Sequence, residues 1–367
     1  AAREASARAP AVTVELLRRA EALLPFGHPD ADFVAAEAVH ALLRAGAVAD
    51  ASAHAEGVLG RPHLTEVDVP LRIALFGALA LQNRAAELIT VAEASLAAPE
   101  RLQPSDRVLI RAQQSWALTY TGDPRAGESA AGRALLIGEG ADDPAMIVWA
   151  LTALLVAVGR QGRFGEALTH ARRAAALAAD SSKTRSLPLQ PKLFLGLALF
   201  DCDLIDESRT AYRAALDDEF GSGWWLSETL MADAEASFVL GEWEDAVPGL
   251  VAGGQAAREK DNPLLVTQSL AYRAIIATAT GDHRLARELV GGIAGSLEGD
   301  QLSYNAGILA SALAGVTAAE GDLRGAYDVL LRCWTFDAAR ENRYYQRCLA
   351  PDLVRLALVL GHQDGAR

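Results

Sequence analysis

The sequence predicts an all-α protein, a right-handed superhelical solenoid of helical hairpins. Three observations predict it. A glycine-led turn recurs about every 40 residues. Apolar residues recur at helical spacing on both sides of each turn, and small residues, Ala above all, fill most of the apolar places.

The turn is clearest in AEGDLRGAYDVLL, residues 319–331. A glycine, a variable residue and a bulky residue are followed by a small residue five positions after the glycine. The pattern recurs at Gly46, Gly122, Gly162, Gly241, Gly281, Gly321 and Gly361, with Ala51, Gly127, Ala167, Ala246, Ala286, Ala326 and Ala366 in the small slot. Cys202-Asp203-Leu204 replaces the glycine and keeps the spacing. The anchors 122, 162, 202, 241, 281, 321 and 361 are 40, 40, 39, 40, 40 and 40 residues apart. One more unit fits between 46 and 122, with its turn near Gln82-Asn83.

Each position has a physical reason. Glycine enters the left-handed conformation that ends a helix without a Cβ clash. Asp123, Asp282 and Asp322 are placed to cap the next helix by accepting a backbone N–H. Pro124 stands at the first helical position, where its missing donor is harmless. The small residue lets the two antiparallel helices approach.

The elements follow in order. Upstream helices are expected at about 11–24, 30–45, 49–59, 68–82 and 84–97. First helices of later units are expected at about 106–120, 145–160, 190–200, 224–240, 263–280, 303–320 and 343–360. Second helices are expected at about 124–138, 164–179, 204–217, 243–259, 283–297 and 324–338. Breakers separate the units: EGADDP at 139–144, SLP at 186–188, DEFGSG at 218–223, DNP at 261–263 and EGDQ at 298–301. Asp143-Pro144 and Asn262-Pro263 are helix-start signals. The count is about 18 helices and no strand, in one continuous array over 1–367, since a lone hairpin cannot bury its apolar face.

Composition narrows the function. The net charge is −13 with dispersed acids, so the concentrated basic face that binds nucleic acid is missing. The three cysteines form no CxxC motif and no disulfide framework, which predicts a reducing compartment. The strongly apolar uncharged run at 144–159 is shorter than the roughly 20 apolar residues of a membrane span and reads as a buried helix. The opening AAREASARAP is polar and lacks the apolar stretch of a leader, so a cytoplasmic location is expected. Lysine occurs only at 183, 192 and 260 against abundant Arg, Ala and Gly, the usage of a GC-rich bacterial genome.

The pattern Gly-x-bulky-x-x-Ala, with small residues seven before the glycine (Ser115, Ala234, Ala274, Ala314), resembles the tetratricopeptide repeat over nearly the whole chain. The usual unit is 34 residues, so helices or connections here are longer. VELLRRAEALLPFGHPDADFVAAEAVHALLRAGAVADASAHAEGVL (14–59) and GRFGEALTHARRAAALA (162–178) are similar to the helical-repeat region of large ATP-binding, LuxR-family bacterial transcriptional regulators. These are themselves similar to the maltose-regulon activator, with a signal-transducing NTPase domain before the repeats and a helix-turn-helix after them. This chain has neither a G-x-x-x-x-G-K-[ST] loop nor a basic reading helix. The resemblance therefore implies a non-catalytic sensor segment whose partners are an inducer or protein in its groove and the neighbouring NTPase and DNA-binding domains. It begins without Met and ends at LVLGHQDGAR, one helix into a unit, as a segment of a longer chain would. The alternative is a stand-alone scaffold for protein interaction or self-association.

No motif for catalysis, metal or cofactor stands out. HExxH and G-x-S-x-G are missing, and GSGWW (221–225) follows a helix rather than a strand. His40 and His54 read as satisfied or surface imidazoles rather than zinc ligands. Cys333 and Cys348 read as buried small residues. Asp142-Asp143 and 217–220 read as caps. RENRYYQRC (340–348) reads as a solvated helix start, with RNA binding as the alternative.

In repeats of this family the first helices line the concave face. Counting back from each turn by about 13, 10, 6 and 2 residues selects Trp116, Tyr120, Trp149, Thr152, Lys192, Glu228, Met231, Glu235 and Gln268 as groove positions. Polar residues beside Trp on apolar helices suit a ligand or peptide groove. The Trp residues equally suit inter-repeat core. Of Trp224 and Trp225, adjacent on one helix, one is expected partly exposed.

Overall fold

The structure is a computed structural model that describes residues 10–25, 28–82, 84–99, 102–180, 184, 189–217, 222–297 and 305–362. It is all-helical, with eighteen α-helices and no strand among those residues. They are α1 (Pro10–Leu23), α2 (Ala31–Arg44), α3 (Val48–Leu59), α4 (Thr65–Leu81), α5 (Ala85–Leu96) and α6 (Pro104–Tyr120). Next come α7 (Pro124–Gly140), α8 (Pro144–Arg160), α9 (Phe164–Asp180), α10 (Pro191–Asp201), α11 (Ile205–Leu216) and α12 (Ser222–Val239). The last are α13 (Trp243–Glu259), α14 (Pro263–Ala279), α15 (His283–Gly291), α16 (Ala306–Ala319), α17 (Leu323–Ala339) and α18 (Arg343–Val359). Each helix packs on the next, and α6, α8, α10, α12, α14, α16 and α18 also contact one another in series as the inner layer of a solenoid.

The turn chemistry explains the hairpins. All seven turn glycines have positive φ, from +76° at Gly361 to +99° at Gly122. Asp123 accepts from the Ala126 N–H at 2.9 Å, Asp282 from Leu285 at 3.0 Å and Asp322 from Gly325 at 2.8 Å. Asp143 and Asn262 cap α8 and α14 in the same way, each just before a proline at the first helical position. The connections between units use the same backbone geometry with acids in place of glycine. Asp142, Asp261 and Glu341 all have φ near +50°.

The cysteine-led turn departs from the expected register. Its left-handed residue is Asp203 (φ +60°), not Cys202. The small slot moves with it. Five residues after Asp203 is Ser208, fully buried like Ala51, Ala246 and Ala326, whereas Glu207 is exposed. The anchor is therefore 203. A second departure is the helix expected over 283–297, which ends at Gly291. A 3₁₀ turn, Ala294–Leu297, follows. The Gly291-Gly292 pair weakens the helix at that point. Breakers at 186–188, 218–221 and 298–301, and Asn83, lie outside the described residues.

The small slot is a close approach. A Cβ on Gly127 would meet the Thr119 hydroxyl and stand 2.8 Å from the Ser115 carbonyl oxygen on α6. Gly127→Ala should therefore destabilise by ~1–3 kcal/mol through overpacking, read by denaturant unfolding. Gly132→Ala, half-buried on the same helix with nothing within 4 Å of the added Cβ, is the control and should be neutral or stabilising.

The superhelix is tight enough to touch itself. Arg125 at the start of α7 pairs with Glu341, 216 residues later, at 2.6 Å. A Cβ on Gly46 would stand 3.3 Å from the Glu259 carbonyl oxygen. Contacts more than five 40-residue periods apart thus form a seam between successive superhelical turns, and they bring α18 across the concave side.

Candidate functional site

Two clusters lie among the inner helices. The first is aromatic. Trp116 on α6 lies 5.8 Å from Trp149 on α8, 6.0 Å from Phe194 on α10 in a stacked arrangement, and 6.4 Å from Trp225 on α12. Phe194 and Trp225 meet edge-to-face at 5.3 Å. Four consecutive inner helices each contribute one ring. Trp225 also has a non-helical backbone (φ −103°, ψ 16°) inside α12, which marks a kink at the cluster. Its ring is half-buried, and the side chain of Trp224 lies outside the described residues.

Trp116 and Trp149 are 8% and 5% exposed and belong to the core shared by units α6 to α10. Trp149→Ala should cost ~3–5 kcal/mol of stability, measured by chemical denaturation. A role in binding is better probed by Trp149→Phe. Thr152 and Met231 are also buried, and the Thr152 hydroxyl donates to the Val148 carbonyl at 2.7 Å. Tyr120 is exposed at the end of α6. Lys192 is exposed and donates to the Ala214 carbonyl at 3.2 Å. Glu228 accepts from Ser227 at 2.7 Å, and Gln268 is half-buried on α14.

The second cluster is ionic and aromatic. Arg347 on α18 bonds Asp201 at the end of α10 twice, through Nη2 to Oδ1 at 2.7 Å and through Nη1 to the backbone oxygen at 2.9 Å. Its guanidinium carbon lies 4.4 Å from the Phe164 ring centre and 5.1 Å from that of Tyr344. Arg160, the last residue of α8, lies over the Tyr344 and Tyr345 rings at 4.2 and 5.2 Å. The Tyr272 hydroxyl on α14 donates to the Glu235 carboxylate on α12 in a short contact. Cation–π and charge-assisted contacts of this kind strengthen as water is excluded.

Burial sets the proton affinities. It pushes Glu235 up to about 7, against the pull of the Tyr272 hydrogen bond and with the Asp201 charge adding to the rise. It pushes Asp201 up to about 6, against Arg347 and Arg160. Asp337, at the end of α17, rises to about 6 through burial, although Asn342 donates to it at 2.8 Å. Burial also raises the Tyr272 and Tyr344 phenols well above their ordinary range, so both stay neutral donors. Carboxyls that titrate near neutral pH beside specific charge partners make this cluster the candidate site.

Only Glu235 of this cluster was among the expected groove positions. RENRYYQRC does not form a solvated helix start. Tyr345 and Gln346 are buried, and Arg347 reaches α10. The segment looked solvated because its partners lie about 150 to 190 positions away in sequence, Asp201 for the Arg347 charge and Arg160 for the tyrosine rings. The signal that could have found it is Tyr344-Tyr345 flanked by arginines at a helix start, a polar pattern too aromatic for a solvated face. Cys348 is exposed rather than buried, and Cys333 is buried. His54 bonds Glu21 at 2.8 Å. Among the described residues no group of three His, Cys, Asp or Glu side chains could hold a metal ion, and no helix is long and apolar enough to cross a membrane.

No known family profile matches the sequence, and no curated protein matches it. Solved structures do resemble the fold. A Rap protein complexed with competence and sporulation factor superposes with a TM-score of 0.59 at 12% identity, over 97% of this chain and 95% of that one. The Rap conjugation gene regulator of the plasmid pLS20, in complex with the Phr* peptide, gives 0.57 at 12% identity over 91% and 92%. Aspartyl phosphate phosphatase F from Bacillus subtilis gives 0.51 at 11% over 94% and 93%. The chain is a tetratricopeptide-like helical-repeat solenoid. At such low identity the likeness concerns the fold alone, and one fold serves regulators and a phosphatase alike.

Proposed function

We propose that this chain is the non-catalytic, cytoplasmic sensor module of a bacterial LuxR-family transcriptional regulator, in one continuous array that binds a peptide inducer or protein partner on its concave side. The observation that carries the reading is the ionic cluster. Arg160, Asp201, Glu235, Tyr272 and Arg347 come from five inner helices and meet across the superhelix. An occupant that competes for these groups changes how distant units sit. A ligand shifts such an equilibrium only by binding one arrangement better than another, and neighbouring NTPase and helix-turn-helix domains would read the shift. A Rap protein solved with a factor and a Rap gene regulator solved with a peptide, both of the same fold, favour a peptide as the occupant.

Two experiments test this. The complete gene should encode an NTPase loop before these repeats and a helix-turn-helix after them, and their absence overturns the regulator assignment. A screen of short synthetic peptides, read by the fluorescence of the Trp116–Trp149–Trp225 cluster, should give saturable binding that Glu235→Gln or Arg160→Ala weakens. Binding unchanged in both variants removes the ionic cluster as the site.

A further inference from the structure

The α6–α7 hairpin carries a second charged feature, apart from the channel. Arg107 and Arg111 are one turn apart on α6, and Arg133 is on α7. Arg111 lies eleven residues before Gly122 and Arg133 eleven after it, so the two face each other across the hairpin. Arg107 is nine residues from Trp116, two and a half helical turns, which puts it on the opposite side of α6 from the aromatic cluster.

Among the described residues none of these guanidiniums has a counter-ion, and Arg133 donates to the Ser129 hydroxyl at 2.6 Å. The Nε atoms of Arg107 and Arg111 are both shielded from solvent, and neither donates a hydrogen bond. Burial lowers the proton affinity of Arg111, and the charges of Arg133 and Arg107 lower it further. The acids of both helices are engaged elsewhere. Asp106 accepts from the Gln103 N–H at 3.1 Å, Glu128 pairs with Arg163 at 2.7 Å, and Glu139 pairs with Arg173 at 2.7 Å. Gln114, three residues after Arg111 on the same face, is 8% exposed, and its Oε1 has no partner. A half-turn of that amide presents its NH₂ in the same place. Like charges gathered in a partly desolvated place, with donors unspent, are unfavourable until an anion arrives.

We propose that Arg107, Arg111 and Arg133 form a binding site for a small phosphoryl-bearing anion on the α6–α7 hairpin, separate from the concave channel. Guanidinium forks hold phosphoryl oxygens in pairs, a geometry that lysine cannot reproduce. The site is independent of any peptide bound in the channel.

The test titrates inorganic pyrophosphate into the whole chain at fixed ionic strength, with sodium chloride as the comparison, and follows heat and thermal midpoint. Pyrophosphate should bind saturably, and Arg111→Gln should weaken it by at least about tenfold, as loss of a charge-assisted hydrogen bond does. Without pyrophosphate, Arg111→Gln should melt at or above the parent temperature, because it removes a repelled charge. A lower melting temperature makes Arg111 structural and overturns the site. So does pyrophosphate binding that is not saturable or is unchanged in the variant. If Arg111→Gln fails to fold, the exposed Arg133→Gln decides, and full binding in it overturns the proposal.

Discussion

Arg347→Ala should lower the stability of the chain by ~3 kcal/mol and expand it. The substitution leaves Asp201, a largely buried carboxylate, without the fork that bonds it at 2.7 Å, and removing one partner of a buried pair is strongly destabilising. Arg160 remains as a neighbouring charge only. The loss should be larger at pH 8 than at pH 5, because burial already raises Asp201 to about 6 beside Arg347, and loss of that charge raises it further, so the carboxyl is neutral at pH 5. Arg347→Lys should recover little, since one ammonium cannot donate to both the side chain and the backbone oxygen of Asp201 in the same planar geometry. Urea unfolding at the two pH values and the radius of gyration from X-ray scattering check this. A stability change under about 0.5 kcal/mol at both pH values, within the range of ordinary surface substitutions, would show that α18 does not hold α10 in solution.

Glu235→Gln has the opposite expected sign. The folded chain holds the Glu235 proton up to about pH 7, whereas an unfolded chain releases it near 4.5. Below 4.5 both states are protonated and the burial does no harm. As pH rises from 4.5 to 7, the unfolded state loses its proton first, so stability falls through that window and stays low above it. Asp201 and Asp337 act in the same direction between 3.8 and about 6. The parent chain should therefore be more stable at pH 5 than at pH 8. Glu235→Gln keeps an acceptor for the Tyr272 hydroxyl and removes the charge. It should stabilise the chain at pH 8 by an amount on the order of 3 kcal/mol and flatten the pH profile. Equal slopes in parent and variant between pH 5 and 8 would show that another group sets the profile.

The hairpins were legible in the sequence because each turn is specified locally. Gly321 needs positive φ, Asp322 caps, and Ala326 makes room, all within six residues. Where the local chemistry changed, the reading slipped by one. The turn glycine of the 203 unit is an aspartate, and Cys202 drew the anchor away from it, although Ser208 in the small slot already pointed to 203. The clusters were legible only in part. Counting positions found Trp116, Trp149 and Glu235 but could not pair Arg347 with Asp201. That pairing depends on superhelical pitch, the sum of small rotations between successive hairpins, and no single turn encodes it. RENRYYQRC was misread for the same reason.

The seam between superhelical turns changes what kind of object the array is. Repeat chains whose units touch only their neighbours melt like a zipper and tolerate gain or loss of a unit. Here Arg125 meets Glu341, and Gly46 lies against Glu259. Removal of one 40-residue hairpin between them would keep every local interface and still misalign the seam, as dropping a link from a closed bracelet does. Length itself is thereby under structural control. The units should melt together rather than one after another, and an insertion tolerated at an outer loop should be refused between α7 and α17.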